Sequence, residues 1–403
     1  MDLSDQLRTM ITKIRRILTT CIVLVLIAYT ETELALNRVD IASASSLEAA
    51  TSFVTTLEPT SQLNPAQWQS SSSLPLSQPE WQNLDFPVLP SPRIGSSLIL
   101  NPINKIALLF GGINSTTGEL NDFWLTDGLS WMQFQTPHSP EPRSDASMAY
   151  DEAHQMAVLF GGIGDGELFG DTWLFNGIDW IRQQPLVSPS PRTGASMAYD
   201  AERNVSILFG GLTDTGEKFN DALNEMWIWD GETWQQQFPT TLPPARWGAQ
   251  MVYDRARKSI ILFGGSSGGG FLEDTWLWDG ASWVEQHPLQ HPEGRANFGM
   301  AYDESRQQVI LFGGQTSLDV DPTETWAWDG QDWTQLPIRQ TPPEELAYSA
   351  QLVYLPDLQT VILYNALREK TIVSNDSFIK TDSSEVWALT YRNLIYLPII
   401  SGQ

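Results

Sequence analysis

Arg93, Arg143, Arg192, Arg246 and Arg295 recur along the 403-residue chain at intervals of about fifty residues. Each precedes an acid at a near-constant distance, in turn Asp122, Asp171, Glu225, Asp274 and Glu324. A sixth acid, Glu385, follows Ala347, which stands where the next arginine would fall. A guanidinium is a planar fork suited to bidentate pairing with a carboxylate, so two chemistries are open to this set. Each arginine can brace an acid of its own repeat, or the arginines together can hold an anionic ligand. Trp247 lies beside Arg246, and Phe271 follows the run Gly268-Gly269-Gly270, so an aromatic surface adjoins a charged donor as sugar stacking requires. The candidate ligand contacts are therefore Arg143, Arg192, Arg246, Trp247 and Phe271. No catalytic set emerges. The four histidines, His138, His154, His287 and His291, fall in turns and connectors without metal-ligand spacing, and the one cysteine, Cys21, lies far from the repeats. Neither a metal nor another cofactor is expected, and folding should not depend on one.

The elements that position these residues form a repeat. After each arginine come a small-residue apolar run ending in Tyr-Asp, a second run closed by Phe-Gly-Gly, then acid-x-Trp, Asp-Gly and a last Trp. The Gly-Gly pairs begin at Gly111, Gly161, Gly210, Gly264 and Gly313, and an eroded sixth copy is expected at Tyr364-Asn365. A period near fifty with aromatic and double-glycine punctuation specifies a β-propeller array. In the second repeat, Ala146 to Tyr150 and Met156 to Phe160 read as strands joined by a polar turn, and Asp171 to Phe175 as a third. Asn176-Gly177 then makes the tight hairpin turn, as Asp-Gly does in four other repeats. Trp124, Trp173, Trp227, Trp276, Trp326 and Trp387 mark the third strand; Trp131, Trp180, Trp234, Trp283 and Trp333 mark the fourth. Such regular columns suit packing between blades better than ligand stacking. Alternating strands put the arginines, the glycine pairs and the acids on one face. There the loops between second and third strands hold 9, 8, 13, 8, 9 and 19 residues, so the third and sixth are the outliers.

From about Pro90 to Pro398 the chain resembles the kelch family in its bacterial form, with YD, LFGG, DTW-x-WDG and W signatures. The resemblance implies an all-β fold: a six-bladed kelch β-propeller with four antiparallel strands per blade, seven blades being the alternative. It implies little about activity, because the scaffold hosts enzymes and binding modules alike. The copper chemistry of galactose oxidase needs a cysteine that these repeats lack, and the boxes of sialidase propellers are absent. The functional expectation is a non-enzymatic binding module for a glycan or an extracellular protein. The alternatives are a sugar-acid enzyme of the sialic acid mutarotase kind and a structural surface protein with no discrete ligand.

With 48 acidic and 23 basic residues the net charge is −25, which repels phosphate backbones and argues against nucleic acid and anionic membrane surfaces. Arg8, Lys13, Arg15 and Arg16 precede the short apolar run Ile17 to Tyr29, the pattern of an export signal. The run is shorter than a spanning helix needs, so membrane contact is expected only through an uncleaved N-terminal segment, and the location is secreted or at the cell surface. Residues 1–36 form this signal or anchor, residues 37–80 a Ser/Thr/Pro-rich linker without periodicity, and residues 81–403 the propeller. Glu80-Trp81-Gln82-Asn83-Leu84 copies the fourth-strand phrase that the last repeat has lost, so this segment is expected to pair with the blade of Trp387 and tie the chain ends together.

Overall fold

The computed structural model describes residues 78–213, 222–317, 322–373 and 376–391, with only the backbone described for 366–382. The expected signal, most of the linker, the acidic run Asp214 to Glu217 and the stretch around Leu394 lie outside these residues.

Six four-stranded antiparallel sheets are arranged as blades. Blade one contains Ser97–Asn101, Ile106–Phe110, Phe123–Thr126 and Trp131–Phe134. Blades two to five repeat this order, beginning at Ser147–Asp151, Ser196–Asp200, Gln250–Asp254 and Gly299–Asp303. The first strand of each blade neighbours the first strand of the next, and Gln351–Leu355 of blade six returns to Ser97–Asn101, so the ring closes at six around a central channel. The expected strand boundaries hold to within a residue. The first strand of blade two starts and ends one residue late, taking Asp151 into the sheet.

Blade six closes as the sequence anticipates. Its outermost strand is Glu80–Leu84, from the other end of the repeats, pairing Trp81 with Leu389 and Asn83 with Trp387. Its second and third strands run Thr360–Val373 and Asp376–Thr390, so the long sixth loop is a hairpin extension of the blade, with a register shift between Ala366 and Arg368. The register also corrects the sixth repeat by one residue. Tyr364 pairs with Gln351 as Phe263 pairs with Gln250, so Tyr364 takes the place of the phenylalanine and Asn365 that of the first glycine.

The core lies between blades and has a direction. The fourth-strand tryptophan of each blade packs on the second-strand aromatic of the preceding blade. Phe110 meets Trp180, Phe160 Trp234, Phe209 Trp283, Phe263 Trp333, Phe312 Trp81 and Tyr364 Trp131, with centroids 5.2–5.9 Å apart. All twelve rings are at most 5% exposed. The Thr of the Asp-Thr-Trp phrase serves the same joint. Trp234 Nε1–H donates to Thr172 Oγ1 at 2.9 Å, Trp333 to Thr275 at 3.0 Å and Trp81 to Thr325 at 2.8 Å. Where Phe123 or Val386 occupies that position, Trp180 and Trp131 bury an indole N–H with no acceptor.

Candidate functional site

The five arginines, the glycine pairs and the acids do converge on one face, but each set closes upon itself. Arg246 is 1% exposed. Its Nε donates to Pro244 O at 2.9 Å, its Nη1 to Gly264 O at 2.8 Å, and its two Nη groups grip Asp274 at 2.7 and 2.6 Å. Asp274 also accepts Trp276 Nε1–H at 2.6 Å. Arg93 and Arg143 repeat this fork on Asp122 and Asp171, and Arg192 donates to Glu225 through Nη2. The arginine backbone holds the neighbouring blade at the same point. Gly211 N–H donates to Arg246 O, and a Cβ on Gly210 would lie 2.4 Å from that oxygen. The first glycine is therefore required by close approach as well as by its φ of +72°. Each Arg-acid-Trp unit is thus a joint between two blades and within one.

Burial alone would raise the carboxyls of Asp122, Asp171, Glu225 and Asp274, but the arginine hydrogen bonds and charge outweigh it and hold all four below the usual range. Blade five departs from this. Among the described residues, Arg295 is fully buried and donates only to Glu293 O and Gly313 O, while Glu324 keeps one buried oxygen without a partner. Burial brings the Arg295 guanidinium down to about 10. In blade six, where Ala347 replaces the arginine, Glu385 accepts instead from Trp387 Nε1 and from Asn83 of the closing strand.

Arg143, Arg192 and Arg246, expected as candidate ligand contacts, accordingly have the geometry of braces: buried, with their forks turned to their own blades. Trp247 and Phe271 differ. Both are half-buried. Trp247 bridges Ser266 through two backbone hydrogen bonds, and Ser266 pairs with Phe271 in a miniature hairpin above the blade. The Trp247 side chain reaches the channel mouth, where a Cβ on Gly194 would sit 3.7 Å from it. The position after each arginine carries a large half-buried side chain in blades one, four and six, namely Ile94, Trp247 and Tyr348. Phe169, an aromatic absent from the expected set, stacks on Arg143 with Cζ 3.9 Å from the ring centroid.

Two residues past each arginine lies a second ring that the repeat pattern did not single out: Gly95, Asp145, Gly194, Gly248, Asn297 and Ser349. All six have φ between +51° and +64°. Their amides pass hydrogen bonds around the mouth, from Asp145 N to Gly95 O, Gly194 to Asp145, Gly248 to Gly194 and Asn297 to Gly248, while Gly95 N donates to Ser349 Oγ. Beneath is a cavity of about 100 Å³ lined by Ser97, Ser147, Ser196, Gln250 and Gln351. Asp145 is its only charged lining side chain. The carboxyl is exposed through the mouth yet ringed by protein, and partial desolvation, opposed by the hydrogen bond from the Ser144 hydroxyl, pushes it up to about 6.

The opposite mouth, of about 240 Å³, is lined by Tyr150, Tyr199, Tyr253, Tyr302 and Tyr354. Asp200, Asp254 and Asp303 there are buried and pair with Arg203, Arg257 and Arg306 three residues on. Arg203 and Arg257 reach across to the carbonyls of Asp279 and Asp329 in the next blade, and Arg306 stacks on Tyr391. Gly280 and Gly330 of the Asp-Gly turns are pressed by Arg203 and Arg257 as well as held at positive φ. His138 and His154 pair with Asp179 and Asp151, and among the described residues no group of three or more His, Cys, Asp or Glu side chains could hold a metal ion. Asp165-Gly166 forms the tight turn of a two-residue-strand hairpin.

A family model describing the KLHDC2/KLHL20/DRC7 Kelch-repeats domain matches residues 180–364, which run from the last strand of blade two into blade six. No curated protein matches the sequence.

Proposed function

Because the chain is a six-bladed kelch-repeat β-propeller, we propose that it is a binding module that takes a protein partner on the face where the arginine braces end and the channel opens. The observation that carries this is Trp247. It is a large, half-buried aromatic on a backbone fixed by the Ser266 bridge, placed at the rim of a polar depression, as the anchor of a protein interface is. Phe271 continues the same small sheet, and Tyr348 occupies the equivalent position in blade six. The alternative of a sugar-acid enzyme is not favoured here, because Arg143, Arg192 and Arg246 are buried against Asp171, Glu225 and Asp274. Export to the cell surface or medium remains part of the proposal, supported by the basic flank and short apolar run at residues 8–29.

A photo-crosslinking residue placed at Trp247 in the full chain tests this against one placed at Pro102, at the opposite mouth. In the producing cells and their medium, a discrete protein adduct at 247 and none at 102 is expected. Equal adducts at both positions, or glycan-array binding with no protein adduct, would overturn it.

A further inference from the structure

The ring at the channel mouth holds one group that neither the fold nor the brace system uses. Four of its six positions carry glycine or asparagine, residues that adopt positive φ at little cost, with glycine in blades one, three and four. Blade two places Asp145 there instead. Its Oδ1 lies 2.7 Å from where a Cβ of Gly95 would be, so the carboxylate leans across the mouth over the neighbouring glycine. No arginine answers it, since the brace arginines are committed elsewhere, and no ion pair to Asp145 exists among the described residues. The Ser144 hydroxyl donates to it, and the neutral groups around it also offer acceptors. Gln351, which donates its amide to Ser349 O, lines the cavity wall, and Asn297 Oδ1 lies over Gly248. Ser196 adds an independent sign. Its counterparts Ser97 and Ser147 donate to Ala146 O and Ala195 O of the next blade, whereas the Ser196 hydroxyl, 5% exposed and lining the same cavity, has no partner.

We propose that the channel mouth is a socket for a single ammonium group, a lysine side chain of the protein partner, anchored by Asp145. The socket rests on the protein-binding reading above and deepens it. An ammonium brings three donors and no acceptor, matching a wall of carboxylate, amide oxygen and unpartnered hydroxyl. The cavity of about 100 Å³ is the room of roughly three water molecules, enough for the tip of a lysine but not for a folded segment. Trp247, at the rim beside Gly194, is placed to cover the apolar stem, and the acidity of the whole chain favours approach of a basic partner.

The test titrates the full chain with the tripeptide Ac-Gly-Lys-Gly-NH2, with its norleucine counterpart, and with potassium, magnesium and calcium chlorides, followed by NMR. The lysine peptide should bind and the norleucine peptide should not. Asp145→Asn and Asp145→Gly should each weaken lysine binding at least about tenfold, the loss of one charge pair. Asp145→Gly places at this position what three other blades already carry, so it should fold, and an unchanged melting temperature confirms that. Equal binding of lysine and norleucine, no binding of either, an unaltered affinity in both variants, or displacement of the peptide by a millimolar inorganic cation would each overturn the socket. These outcomes are independent of crosslinking at Trp247, so the socket can fail while the protein-binding face stands, and the reverse.

Discussion

Replacing Arg246 by alanine removes four donated hydrogen bonds, two to backbone carbonyls and two to Asp274, and leaves Asp274 with the Trp276 indole and a backbone amide as partners. Breaking a buried ion pair from one side typically costs about 3–5 kcal/mol, because the remaining charge stays desolvated. The Asp274 side chain is 17% exposed, so water recovers part of this, and a loss of about 2–4 kcal/mol at pH 7 is expected. The pH dependence gives a second, sharper signature. In the native chain Asp274 titrates below its unfolded value, so its contribution is complete above the unfolded pKa and is lost as pH falls through the folded one. Without the arginine, burial is opposed only by the Trp276 and backbone hydrogen bonds, so the carboxyl rises from its native position. The variant is penalised while Asp274 is charged and relieved as it protonates, so the deficit should shrink between pH 7 and pH 4. Urea unfolding of both proteins across that range, with Asp274→Asn and the double variant to complete the cycle, measures it. A deficit under about 1 kcal/mol, the worth of a surface pair, or one that grows as pH falls would refute the brace. Arg295→Ala is the internal control. With two donated bonds and no fork on Glu324, it should cost less than Arg246→Ala.

Further outcomes follow from the joints between blades. Val386→Thr supplies the acceptor that Trp131 lacks and should stabilise by about 0.5–1 kcal/mol, while Thr172→Val, which orphans Trp234 Nε1, should destabilise by about 1–3 kcal/mol in thermal or urea unfolding. Gly280→Ala and Gly177→Ala start from similar φ, +96° and +94°, but a methyl at 280 runs into Arg203 whereas at 177 it meets open space. The first should therefore cost clearly more than the roughly 1–2 kcal/mol of left-handed strain alone, and equal costs would show that the arginine does not fix the turn. Trp81→Ala empties a fully buried site against Phe312 and Thr325 and should cost about 3–5 kcal/mol, even though Trp81 lies outside the repeats in sequence.

The blade count, the strands and the closing segment were legible because they rest on period: glycine pairs near every fiftieth residue, two tryptophan columns, and a fourth-strand phrase displaced to Trp81. The register of the eroded sixth repeat was not. Tyr364 replaces a phenylalanine and Asn365 a glycine, so the eroded phrase was placed one residue out of step and strand pairing corrected it. The arginine column was visible but its role was not, since a fork facing a ligand and a fork facing Asp274 have the same spacing in sequence. The residues of the channel mouth were hidden for a different reason. Gly95, Asp145, Gly194, Gly248, Asn297 and Ser349 share a backbone conformation and not a side-chain type, so no column of like residues marks them. The aspartates of the Tyr-Asp phrase were seen as strand ends, and their reach through Arg203 and Arg257 into the next blade depends on a curvature that the sequence does not state.

The tryptophan-to-aromatic joints have a consequence for assembly. Each blade presents a different surface forwards and backwards, so the contact between blades is heterologous and, taken alone, would continue indefinitely. It stops at six because the rotation per blade returns the array to its start, and the final contact is supplied by Glu80–Leu84 from the far end of the repeats. Closure thus depends on a strand that is covalently distant from the sheet it completes. Without that strand, Phe312 and Thr325 form an unfilled acceptor at one end of an open arc. The same strand of another copy is complementary to that acceptor, so a chain that fails to close upon itself carries the instructions for exchanging strands with its neighbours.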